Sequence, residues 1–87
     1  MNLRMLETFY WAAKLGSFTA AAKRLNATQS TVSMRIQKLE REFAVVLFDR
    51  SQRVARVTVV GRELMKYLDL ICIFVMLLLK KHFKKKQ

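Results

Sequence analysis

The 87 residues predict a mainly α fold: a three-helix core, a small β wing and one long trailing helix. Three observations point there. Two apolar stripes of helical period, one in 18–25 and one in 32–43, stand on either side of a short polar turn. β-branched residues then flank an arginine-bearing tip at 49–53. A further apolar seam of helical spacing runs from Val60 to Leu78.

The first helix is expected over Leu3 to Leu15, with Asn2 as N-cap and Gly16 in the left-handed position that closes a helix. Leu3, Leu6, Phe9, Tyr10 and Ala13 make its expected inner face. The Phe9-Tyr10-Trp11 cluster reads as core and boundary packing. Ser17 caps the second helix, whose stripe is Phe18, Ala21, Ala22 and Leu25. Asn26, which tolerates positive φ, is the expected turn residue. Thr28 caps the third helix, expected over about 28–42.

That third helix has two contrasting sides. Val32, Ile36, Leu39 and Phe43 fall in one narrow sector of the wheel. The opposite sector holds Ser30, Met34, Gln37 and Arg41, flanked by Gln29, Ser33, Arg35 and Lys38, with no acid before Glu40. Amide, hydroxyl and cationic groups on one face suit base edges and phosphates. Two helices in this arrangement are a helix-turn-helix. Thr28 has two compatible readings, a cap alone and a cap that also turns backbone N–H groups toward a phosphate.

After Phe43 the pattern changes. Val45-Val46-Leu47-Phe48 and Val54 to Val60 read as short strands around Asp49-Arg50-Ser51-Gln52-Arg53, which is a wing. Arg50, Arg53 and Arg56 recur every third residue, so in extended chain they do not share a face. Arg53 at the tip suits a minor groove of high negative potential; the other reading is a solvated loop. The last helix is expected from Thr58, its cap, toward Lys80. Its seam is Val60, Leu64, Leu68, Ile71, Val75 and Leu78, opposed by Arg62, Glu63, Lys66 and Asp69. Beyond Asp69 the polar face gives way to Ile73, Phe74 and Leu77. The chain thus divides into a winged helix-turn-helix at 1–58, a linker helix at 59–80 and a basic tail at 81–87, expected to be disordered.

Bulk composition narrows the function. The net charge is +11, from 17 Lys+Arg against 6 Asp+Glu, which implies nucleic acid or an anionic surface as partner. A chain this small buries only about 60–65% of its unfolded surface, so dimerisation would add needed burial. One cysteine, Cys72, provides no intramolecular disulfide framework, and the N-terminal residues lack a signal-peptide layout; a cytoplasmic location is expected. The apolar run Leu70–Leu79 spans about 15 Å as a helix, half of a roughly 30 Å hydrocarbon layer. Cys72 and His82 form no zinc quartet or catalytic pair, and Gly16 and Gly61 make no phosphate loop. Neither cofactor, metal nor enzymatic activity is expected.

From Leu3 to about Leu68 the chain resembles the winged helix-turn-helix domain of LysR-type transcriptional regulators. The resemblance rests on LRMLETFYWAAKLGSFTAAAKRLNATQSTVSMRIQKLE, on LFDR at Leu47–Arg50 and on VTVVGRELM at Val57–Met65. It implies sequence-specific binding of double-stranded DNA by a regulator. Gln29, Ser30, Ser33 and Met34 would read the major groove, Met34 touching a thymine methyl or standing idle. Thr31, Ser33, Lys38 and Arg50 would lie near phosphates and Arg53 at the wing, with Ser17, Thr28 and Arg35 on the same DNA-facing side. The seam Val60, Leu64, Leu68, Ile71, Val75 and Leu78 would pair two copies as a homodimer.

Two positions depart from that pattern. Ala44 stands where relatives usually carry glycine, and Ser30 where proline is common. The larger departure comes after Asp69, where relatives are expected to continue toward an effector-binding domain. No such domain is expected within these 87 residues, and so no small-molecule effector site is expected in them. An end read in another frame and an apolar end buried in a larger assembly are both compatible with it. The competing readings are a non-binding truncated remnant and a protein held at a membrane surface by Leu68–Leu79 and the lysines beyond it.

Overall fold

The computed structural model describes residues 1–51 and 54–85. Its elements are α1 (Leu3–Leu15), α2 (Phe18–Arg24), α3 (Gln29–Phe43), β1 (Phe48–Asp49), β2 (Arg56–Val57) and α4 (Val59–Lys85). The expected mainly α winged helix-turn-helix with a trailing helix is what forms. Each early helix is bounded by the expected residue. Asn2 accepts from the Met5 N–H at 2.9 Å, Ser17 from Ala20 at 3.1 Å and Thr28 from Thr31 at 3.1 Å.

Helix ends are closed by left-handed residues. Gly16 ends α1 at φ 66°. Asn26, at φ 54°, comes after α2, where the Ala27 N–H reaches the Ala22 carbonyl at 2.9 Å. Ala44 closes α3 at φ 52°, with the Val45 N–H on the Glu40 carbonyl at 3.0 Å. Both of these last turns are of the Schellman type. Among the described residues, only at Ala44 does a Cβ stand in the left-handed region with no polar side chain to compensate.

The core gathers Phe9, Ala12, Ala21, Ala22, Val32, Ile36, Leu39, Leu47 and Phe48. Phe48 of the wing packs edge-on against Phe9 of α1 at 5.6 Å and Phe18 of α2 at 5.0 Å, so the wing root belongs to the core. The inner face of α1 keeps Phe9 in the core with Leu6 and Ala13 packed against it, as expected, but departs from the expected set at Leu3 and at two residues left out of it. Leu3 is 83% exposed, while Thr8 and Ala12 are fully buried. The stripe is Met5, Thr8, Phe9 and Ala12, again at i, i+3, i+4 and i+7. Thr8 hides it from a hydrophobicity count, and its hydroxyl is satisfied by donating to the Arg4 carbonyl at 2.7 Å. Phe43, expected inside, is half exposed at the end of α3.

The wing is shorter than its β-branched residues suggest. Phe48 pairs with Val57 and Asp49 with Arg56, antiparallel, and the strands stop there. Val45 to Leu47 lie outside the ladder because their polar groups are taken elsewhere. The Thr58 hydroxyl donates to the Val46 carbonyl at 2.6 Å, and the Thr58 N–H to the Leu47 carbonyl at 3.0 Å. Thr58 also caps α4 by accepting from Gly61 at 3.1 Å. At Gly61 the helix approaches the wing root so closely that a Cβ would meet the Leu47 carbonyl oxygen at 2.6 Å. Val59 and Val60, at the end of the β-branched run, form the first turn of α4, as expected of a helix capped by Thr58.

α4 continues to Lys85, through much of the stretch expected as a tail. Leucine and lysine are strong helix formers, and cations at a C-terminus complement the helix dipole. Its 27 residues extend about 40 Å. Among the described residues no helix is long and apolar enough to cross a membrane.

Replacing Ala44 with glycine removes the Cβ penalty at positive φ. Ala44→Gly is expected to raise unfolding stability by about 1 kcal/mol, read as a higher urea midpoint at unchanged slope.

Candidate nucleic-acid interface

The buried stripe of α3 fixes which of its side chains face outward. Val32, Ile36 and Leu39 are sealed against α1 and α2, so the opposite side must meet solvent. Ser30, Met34, Gln37, Lys38 and Arg41 are exposed there, as the wheel predicts. Met34 is 47% exposed and is the apolar member of an otherwise polar row. Thr31 and Ser33 are half-buried at the edges of this face.

The N-terminus of α3 is tightly organised. The Thr28 hydroxyl donates to the Thr31 hydroxyl at 2.9 Å while accepting from its N–H. Gln29 is exposed, and its side-chain carbonyl accepts from the Thr19 hydroxyl of α2 at 3.3 Å. This bond holds the amide between the two helices. Thr19 is legible in the sequence only as a first-turn residue; no local signal ties it to Gln29. Ser17 is half-buried, with its hydroxyl engaged as the α2 cap.

Two expected DNA-facing arginines are turned to internal partners. Arg35 is half-buried and donates to the Thr8 hydroxyl of α1 at 3.4 Å, bracing α3 against α1. Arg50 donates to the Glu40 carboxylate at 3.1 Å and to the Phe48 carbonyl at 3.3 Å, with its guanidinium 5.7 Å from the centre of the Phe18 ring. Arg53 lies outside the described residues. Arg56 is exposed on β2.

Glu40 is the residue that wheel reasoning placed wrongly. Taken from the sequence as the acid that ends the outward face, it is instead nine-tenths sheltered, its side chain 11% exposed. One carboxylate oxygen accepts the Leu47 N–H at 2.7 Å and the Phe48 N–H at 3.1 Å, and the other faces Arg50. At the wing tip the ionised Asp49 carboxylate accepts the Ser51 N–H at 2.9 Å, which holds its carboxyl below the ordinary aspartate value.

The seam of α4 divides in two. Leu64 and Leu68 pack on the domain's own core, whereas Val60, Ile71, Val75 and Leu78 are exposed. Lys14 of α1 meets Asp69 at 3.5 Å on the rim of that contact. Beyond it Ile73, Phe74 and Leu77 are exposed on the other sides of the helix. Among the described residues no group of His, Cys, Asp or Glu is placed to hold a metal ion.

The family model for bacterial regulatory helix-turn-helix proteins of the lysR family matches residues 3–62. The chain belongs to the LysR family. It is 44% identical over 66 residues to the uncharacterized HTH-type transcriptional regulator y4mQ of Sinorhizobium fredii, which covers 76% of this chain and 22% of that protein. CzcR of Bacillus cereus is 42% identical over 71 residues, covering 82% of this chain and 25% of CzcR. The chain therefore spans about a quarter or less of the length of these curated relatives. The crystal structure of the BenM DNA-binding domain with catB site 1 DNA matches at a TM-score of 0.82 and 30% identity, over 97% of this chain and 93% of that one. The DNA complex of the CbnR DNA-binding domain matches at 0.78 and 29%, over the whole of both chains. The LysR helix-turn-helix DNA-binding domain thus accounts for the three-helix core, the wing and the start of α4.

Because Thr28 caps α3 through its own hydroxyl, Thr28→Ala is expected to lower stability by about 1 kcal/mol in chemical unfolding.

Proposed function

We propose that this chain binds double-stranded DNA sequence-specifically as a transcriptional regulator, with α3 in the major groove. The observation that carries this reading is the outward face of α3, where Gln29, Ser30, Met34, Gln37, Lys38 and Arg41 stand exposed on a helix locked in place by its other side. The solved DNA complexes of BenM and CbnR domains support it by likeness of fold.

On this reading the contacts divide by chemistry. Gln29, Ser30, Ser33 and Met34 discriminate bases, the amide by paired hydrogen bonds and the thioether by contact with a thymine methyl. Thr28, Thr31 and Lys38 hold phosphates beside the α3 N-terminus, whose dipole favours anions. Ser17 adds its backbone at the start of α2. Arg53 takes the adjacent minor groove. Arg35 and Arg50 act chiefly by holding the helix and the wing, with their remaining N–H groups available to phosphate.

Two copies pair through α4. Val60, Ile71, Val75 and Leu78 are the exposed part of the seam, and burying them offsets the small core of one domain. A two-fold pair presents two α3 helices about 34 Å apart, one turn of B-DNA. The apolar ring at Ile73, Phe74 and Leu77 favours additional burial beyond a simple pair. An anionic bilayer is the competing partner for that end of α4, with its lysines at the headgroups.

Selection of bound DNA from a random pool tests the reading, with imperfect inverted repeats as the expected product and no enrichment as the contrary result. Gln29→Ala is expected to cut discrimination between selected and random DNA by about 1–3 kcal/mol. Lys38→Ala is expected to weaken binding to both alike and lower the log–log salt slope by about one.

A further inference from the structure

The junction between α3 and the wing is made by one side chain. Glu40 reaches from the side of α3 to the backbone N–H groups of Leu47 and Phe48, and it also receives Arg50. Its own carbonyl accepts the Val45 N–H. Four polar groups of the segment 45–50 therefore end on this residue. Arg50 in turn meets the Phe48 carbonyl and the Phe18 ring, which ties the start of the wing to α2. The ladder itself is two residue pairs long. So short a ribbon cannot set its own angle to α3, since an isolated hairpin even of ordinary length is marginal in water.

We propose that Glu40 is a positioning residue for DNA recognition: it fixes the wing relative to α3 and so sets which bases the wing reads beside the stretch read by α3. The inference rests on the DNA-binding reading proposed for α3. An acid this close to a DNA-facing helix is otherwise unfavourable, because it repels phosphate. Its removal makes the net charge of +11 one unit more positive and by charge alone strengthens non-specific binding. Simple electrostatics thus predicts tighter binding to all sequences with discrimination unchanged, whereas positioning predicts a loss of discrimination confined to the flanks. A Gln side chain keeps an oxygen that can accept the Leu47 and Phe48 N–H groups but loses the charge that orients Arg50. Arg50→Lys tests the same link from the other side, since an ammonium cannot copy the planar fork.

The experiment selects DNA from a pool randomised across the α3 half-site and its flanks, using the full chain as wild type, Glu40→Gln and Arg50→Lys. Circular dichroism confirms that each variant is folded, and Glu40→Ala is added where it folds. The half-site preference is expected to be kept while the flanking preference is lost, with total discrimination falling about tenfold and non-specific affinity unchanged or higher. Flank and half-site preferences falling together, or neither changing in the folded variants, overturns the proposal. A wild-type chain that selects no site overturns the DNA-binding reading itself, before any substitution is made.

Discussion

The Glu40 carboxylate is the point at which this small fold becomes one body. A helix that ends on a left-handed residue leaves the next backbone N–H groups without a ladder, and buried N–H groups must be paired. Here the Leu47 and Phe48 N–H groups are met by the side chain of a residue within the preceding helix. That bond draws Leu47 and Phe48 into the core, where Phe48 joins Phe9 and Phe18. The carboxylate is sheltered, yet it is matched by two backbone donors and a guanidinium, the condition under which a sheltered charge is tolerated. Removing any one partner would leave the others with an unpaired group.

The second half of the fold depends on this seating. With Leu47 in place its carbonyl meets the Thr58 N–H, and the hydroxyl of the same threonine both donates to the Val46 carbonyl and caps α4 on Gly61. Gly61 allows α4 to pass against the Leu47 carbonyl, where any larger residue would collide. The direction of α4 is thus set by the same segment that sets the wing. If two copies pair through α4, the separation of their α3 helices inherits that geometry. Spacing and wing angle then share one origin.

Much of this architecture is legible in the sequence because it is written in local rules. Asn2, Ser17 and Thr28 as caps, and Gly16 and Asn26 as left-handed residues, come from residue type and position alone. That Ala44 stands at a position where glycine is usual comes from the family resemblance, and the structure adds its positive φ. The outward row of α3 comes from helical period. The rest depends on partners distant in sequence. Thr8 looks like a surface residue until its hydroxyl finds the Arg4 carbonyl and its methyl the core. Arg35 and Arg50 look like free cations, since a wheel gives a side chain's direction but not its length or its partner. Glu40 sits near the edge of the polar face by angle, yet its reach to the wing root is tertiary. Gly61 carries no local sign of the close approach it permits. The β-branched run at Val45–Phe48 overstated the strands because side chains of Glu40 and Thr58 compete for its backbone.

The wing root is part of the core rather than a loop beside it, and both the wing and α4 take their direction from that fact. Native-state amide hydrogen exchange tests this directly, residue by residue, in the full chain. The Leu47 and Phe48 amides are predicted to exchange with the same opening free energy as the Ile36 and Leu39 amides of α3, through global unfolding. Exchange of Leu47 and Phe48 at the faster rate of the exposed Ser51 amide would contradict it.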